Sequence, residues 1–253
     1  MFEPRTPSCP FFYKYSNAEH LEWLRDMLLN HVIYFPSHPE LNDPRDGWPP
    51  FKSSSVDEVT RFLVNGFIKR HPGADLVWLA REVAVIAFNT KHHGAPRLLG
   101  LMEEEFKRQT EKNRIYSLSM ARDSLHMWET YGGNHGGYCL EFANDGLFSR
   151  AREVDYGDDL IEMDVNNPNG MFFFRKTLKW KDEQEARIVM FPRGGNAFLA
   201  IFEAGEHPLV KFDTALLRRV ILGKDMAQAN RHEIRAWATQ RNPPVLVVDA
   251  GVP

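Results

Sequence analysis

The chain has 253 residues and a formal charge of -3, from 31 Lys and Arg against 34 Asp and Glu. That length accommodates one large domain with a substantial core, and near-neutrality excludes a global positive field that would hold the chain on nucleic acid or an anionic membrane. Cys9 and Cys139 are too few for a disulfide framework or a thiolate zinc site; with no basic-then-apolar leader and no run near the roughly 18 apolar residues of a spanning helix, a cytoplasmic protein off the membrane is expected.

Phe11-Phe12-Tyr13-Lys14-Tyr15 has the aromatic density of a strand, and Ser16-Asn17-Ala18-Glu19 fits a capping box opening a helix with Leu21, Leu24 and Leu28 on one face. Trp23, Leu24 and Met27 lie at helical spacing and read as core. A second strand, His31–Phe35, stops at Pro36, and a loop with five prolines between Pro36 and Pro50 follows. Within it, Asn42-Asp43-Pro44 is a turn signal, since both polar side chains can bond nearby backbone.

Residues 54–113 read as helical throughout, an insert in a single domain spanning 1–253. Arg114–Ser119 then reads as a strand. Next, Leu125, Trp128 and Tyr131 recur at helical spacing, and Tyr138, Leu140 and Phe142 alternate as in a strand, with Gly132-Gly133 and Gly136-Gly137 between them. This helix–glycine turn–strand unit combines stacking rings with close backbone approach, as a cleft wall does. Further strands are expected at Arg152–Tyr156, Ala186–Met190, Phe198–Phe202, Leu217–Leu222 and Val245–Val248, and a helix capped by Asp225 and ending near Trp237.

Two segments carry candidate chemistry. In Trp180-Lys181-Asp182-Glu183-Gln184-Glu185-Ala186-Arg187, an extended backbone puts Glu183, Glu185 and Arg187 on one face, so Arg187 can hold one carboxylate ionised while the other meets a substrate. A solvated charged strand is the plain alternative. Trp180 adds a stacking face beside the carboxylates, suited to a cationic or sugar-linked ring. The histidines lack metal-pair spacing and the glycines lack a P-loop Lys-Ser/Thr, so no metal and no glycine phosphate cradle are expected.

In order, Tyr13-Lys14-Tyr15, Asn42-Asp43-Pro44, Ser117-Leu118-Ser119, Met127-Trp128 with Tyr131, His135 and Gly136, then Lys176, Trp180, Glu183, Glu185 and Arg187 resemble a widespread bacterial domain family of unknown function, often found near mobile-element and defence genes. The same order remotely resembles NAD-dependent ADP-ribosyltransferases, including DarT-like toxins that modify DNA. That resemblance implies a mixed α+β fold, two mainly antiparallel sheets splayed around an NAD cleft, and a role as a toxin or phage-defence effector. Glu185 or Glu183 takes the place of the catalytic glutamate, Lys14 stands where that family has His or Arg, and Ser117 or Ser119 takes the middle-strand position. Tyr13, Tyr15, Trp128, Tyr131, His135, Gly136, Tyr138, Trp180 and Arg187 complete the implied NAD site, with aromatic rings holding nicotinamide and the glycines admitting its carboxamide. The acceptor is a macromolecule, protein, DNA or RNA, and a neutralising or defence-system partner fits such a role. Two alternatives stay open: a catalytically silent nucleotide- or partner-binding module, and a nucleic-acid hydrolase using Glu183 with Glu185.

Overall fold

The computed structural model describes residues 4–43, 46–159, 161–166, 170–190 and 209–251. In chain order the elements are β1 (Phe11–Ser16), α1 (Leu21–Asn30), β2 (Val32–Tyr34), α2 (Val56–Arg70), α3 (Leu76–His93), α4 (Ala95–Thr110), β3 (Arg114–Ser119), α5 (Leu125–Thr130), β4 (Tyr138–Ala143), β5 (Arg152–Glu153), β6 (Asp155–Tyr156), β7 (Arg175–Lys176), β8 (Glu185–Met190), β9 (Leu209–Lys211), β10 (Leu217–Leu222), α6 (Gln228–Gln240) and β11 (Leu246–Asp249). The fold is mixed α+β. Its central sheet runs β11-β10-β4-β1-β3-β8-β5 and is antiparallel except for the β10–β11 edge; β2 pairs with β9, and β6 with β7. The expected strand Phe198–Phe202 lies outside the described residues.

The ladder is uneven. β1 pairs with β4 along its whole length, from Phe11 opposite Ala143 to Ser16 opposite Tyr138, and β3 pairs with β8 from Arg114 to Ser119. Between β1 and β3 the register reduces to one pair, Tyr13 opposite Ser119. Beyond it the strands part, and the Ser117 carbonyl that an antiparallel neighbour would have bonded accepts instead from Lys14 Nζ at 3.0 Å.

Alternation along the strands assigns the two faces. Phe12, Tyr116, Leu118, Leu140, Phe142, Ala186 and Ile188 share a core with Leu24, Met27 and Leu28 of α1 and Ile234 and Ala238 of α6. On the opposite face, Tyr13, Tyr15, Cys139 and Ile221 pack under Met127 and Trp128 of α5, while Ile115 and Val189 pack under Phe172–Phe174.

Some local expectations change. α1 begins after His20 with no side-chain cap, because Asn17 Oδ1 accepts from Glu19 N at 3.1 Å and ends that turn before the helix starts. Trp23 is 51% exposed, stacking on His20 and Tyr34 outside the core. α6 starts after Ala227 with no side-chain cap and runs past Trp237. Residues 54–113 hold α2, α3 and α4; α2 opens with a capping box between Ser55 and Glu58, and α3 on Asp75, which accepts from Val77 N and Trp78 N. No helix among the described residues is long and apolar enough to cross a membrane.

Candidate functional site

Where β1 and β3 part, a cavity of about 190 Å³ opens, lined among others by Tyr13, Lys14, Tyr15, Asn42, Ser117, Ser119, Tyr131, Lys176, Glu183 and Glu185. Its floor is a row of side chains directly opposed across strands: Tyr13 faces Ser119, and Ser119 faces Glu185. The Pro-rich loop supplies Asn42 and Asp46 from above, and the turn after α5 supplies Tyr131.

Beneath the cavity lies a buried charge cluster. Arg187 donates from Nε to Glu185 Oε1 at 2.6 Å and from Nη2 to Glu185 Oε2 at 2.8 Å. Its other edge holds Asp46, with Nη1 to Oδ1 at 2.7 Å and Nη2 to Oδ2, and Nη1 also meets the Phe173 carbonyl at 2.8 Å. Lys176 Nζ donates to Glu183 Oε2 at 2.6 Å and Glu185 Oε2 at 3.2 Å. Burial pushes the Glu185 carboxyl up, but the Arg187 guanidinium, Lys176 and the Ser117 hydroxyl together hold it well below the usual carboxylate range.

Lys14 experiences the opposite balance. Desolvation lowers its ammonium pKa, Glu185 and Glu183 raise it, and Lys176 lowers it further, with a net downward shift. Tyr131 is pushed up by burial and by donating to Glu183, so it stays a phenol; its oxygen also accepts from Asn42 Nδ2 at 2.6 Å.

The sequence-derived set divides. Tyr13, Lys14, Tyr15, Ser117, Ser119, Tyr131, Glu183 and Glu185 meet at the cavity. Ser119 spends its hydroxyl on backbone, donating to Glu183 O at 2.7 Å and accepting from Ala121 N at 3.0 Å, which fixes the carboxylate-bearing turn. Glu183 is not on the strand: it ends a 3-10 turn over Leu178–Glu183, and Gln184 at φ 45° swings the chain so that both carboxylates still converge on Lys176.

Trp128, His135, Gly136, Tyr138, Trp180 and Arg187 do not line the cavity. Trp128 is buried against Tyr15 and stacks on His135, and Tyr138 sits in the α1-side core. Gly136 closes a turn onto Gly133 O, and Gly137 presses on Ser16 and Asn17, where a Cβ would collide with backbone. The glycine pairs thus seat α5 against the end of β1 and lie outside the cavity lining. Trp180 lies between Lys176 and Lys179, 4.7 and 4.6 Å from its ring, and its Nε1 donates to Asp43 Oδ2 at 2.8 Å. Arg187 is 1% exposed and serves beneath the site.

Sequence reasoning passed over Asp46 and Lys176 as site residues. Lys176 stood in the motif order as a bare cation, and Asp46 lay in the Pro-rich loop without spacing to link it to Arg187, 141 residues away. The chain matches no protein-family model, no curated protein and no solved structure.

Proposed function

We propose that the chain is an NAD-dependent ADP-ribosyltransferase-like enzyme that transfers ADP-ribose to a macromolecular acceptor as a toxin or defence effector. The observation that carries this reading is the convergence of Lys14, Tyr131, Glu183 and Glu185 on one cavity at the parting of β1 and β3. The finer fold reading, a split sheet around a dinucleotide cleft, rests on the same parting. Glu183 and Glu185 stand together at the cavity, and a carboxylate there supports the positive charge that develops on ribose as its bond to nicotinamide breaks. The bonding pair leaves with nicotinamide, the acceptor's lone pair closes on the anomeric carbon, and the acceptor's proton is released to water. Glu183 takes contact with the ribose once Tyr131 turns aside, because Glu185 is committed to Arg187 through both oxygens.

Nicotinamide release from NAD, followed with lysate as acceptor, tests this. Wild type is expected to turn over; Glu183→Gln is expected to lose on the order of 10²-fold or more in rate while still binding NAD. Absence of both release and label transfer removes the enzyme reading. A silent nucleotide-binding module is the second reading, favoured by one observation: every oxygen of Glu183 and Glu185 already has a partner within the protein.

A further inference from the structure

Away from the cavity, α3 is a helix whose apolar residues are turned outward. Leu79, Val83, Ile86 and Thr90 face α2 and α4, yet Thr90 alone is fully buried. The opposite side carries Val77, Ala80, Arg81, Ala84, Ala87 and Phe88, all exposed, with Leu76 at 78%, Val77 at 79% and Phe88 at 68%. Val77, Arg81, Ala84 and Phe88 recur at spacings of four, three and four, the period of a helix-pairing seam.

We propose that this face is the seam of a homodimer in which α3 packs antiparallel on α3 of a second copy, with the two-fold axis at Ala84. That axis places Phe88 of each copy against Ala80 of the other, so a large side chain meets a small one in both halves of the seam. Alanines at Ala80, Ala84 and Ala87 let the helix axes approach to roughly 8–10 Å. One charge pair fits this axis: Asp75 at the start of α3 falls opposite His93 at its end, with Lys91 and His92 beside that position. Asp75 uses Oδ1 for its own helix cap, leaving Oδ2 for the partner helix. An aromatic side chain carries roughly 150–250 Å², so Phe88, with Leu76 and Val77, supplies part of the roughly 800 Å² per partner that a stable interface takes. Self-pairing satisfies the two-fold requirement that one patch complement itself.

Sedimentation equilibrium of the full chain is expected to give twice the mass of one chain. Phe88→Glu and Ala84→Glu are expected to give a single-chain mass with an unchanged circular dichroism spectrum, and Phe88→Leu to remain dimeric. Asp75→Asn keeps the helix cap but drops the charge, so the dissociation constant is expected to rise about two- to fivefold at low salt and not at high salt. Ala84→Cys in a Cys9→Ser background is expected to form an intermolecular disulfide on mild oxidation. A wild-type chain that stays monomeric, a dimer untouched by Phe88→Glu, or a Phe88-dependent complex with a different protein in place of the dimer each overturns the proposal.

Discussion

Arg187 shows how one buried side chain can hold three segments. Its guanidinium joins Asp46 of the Pro-rich loop, Glu185 of β8 and the Phe173 carbonyl. Arg187→Ala leaves Asp46 and Glu185 buried and without that cation, so a loss of about 3–5 kcal/mol is expected in urea unfolding. Arg187→Met, which fills the volume but leaves the same acids, is expected to recover only a minor part.

His38 offers a second residue-scale test. It is buried, its Nε2 bonds the Asp46 carbonyl, and its Nδ1 has no partner. Desolvation lowers its pKa, the bond and charge of Asp46 oppose this, and Arg187 adds to the lowering. The unfolded chain therefore takes up a proton near pH 6.5 that the folded chain resists, and stability falls as pH drops through that value. Wild type is expected to lose stability between about pH 7 and 5.5, whereas His38→Gln, which can keep the bond to Asp46, is expected to lose less over that window, the remainder coming from His31, whose pKa burial also lowers.

At the scale of elements, the two ends of the glycine question separate. Gly137 has no room for a Cβ against Ser16 and Asn17, so Gly137→Ala is expected to destabilise by more than about 2 kcal/mol, as backbone shifts that relieve overpacking do. Gly66 inside α2 has nothing within 4 Å, and Gly66→Ala is expected to stabilise by about 1 kcal/mol through helix propensity. Thermal unfolding of the two variants reads opposite signs.

The same elements show what the residue pattern carried. β1, β3, α5, β4, β8 and β10 follow from alternation and helical spacing almost to the residue, because those signals are local. The parting of β1 from β3 was not legible, since nothing in Tyr13-Lys14-Tyr15 or Ser117-Leu118-Ser119 says how far two strands pair. The placing of rings has a related cause. Trp128, Tyr138 and Trp180 have faces suited to a ligand, but whether an aromatic faces a cavity or a core is decided by what crosses over it.

Across the whole molecule, the cavity draws on residues from Tyr13 to Glu185, and its loop wall is tied to the α5 turn by Asn42 and Tyr131, 89 positions apart. No window of sequence contains that site. The helical insert stands apart from the cavity lining and carries the outward apolar face of α3. The proposed chemistry and the proposed self-pairing thus draw on different parts of one chain.

Lys14, at the parting strands, has one more consequence. Its ammonium is weakened by desolvation and held by the neighbouring carboxylates, so ligand binding and proton exchange are thermodynamically linked there. A cationic group placed beside Lys14 expels its proton to the buffer; an anionic one strengthens its hold. Titration calorimetry of NAD in buffers of different ionisation enthalpy is expected to show more proton release if the pyridinium reaches Lys14 than if a phosphate does. The slope of that heat against ionisation enthalpy separates the two orientations of a dinucleotide in the proposed site.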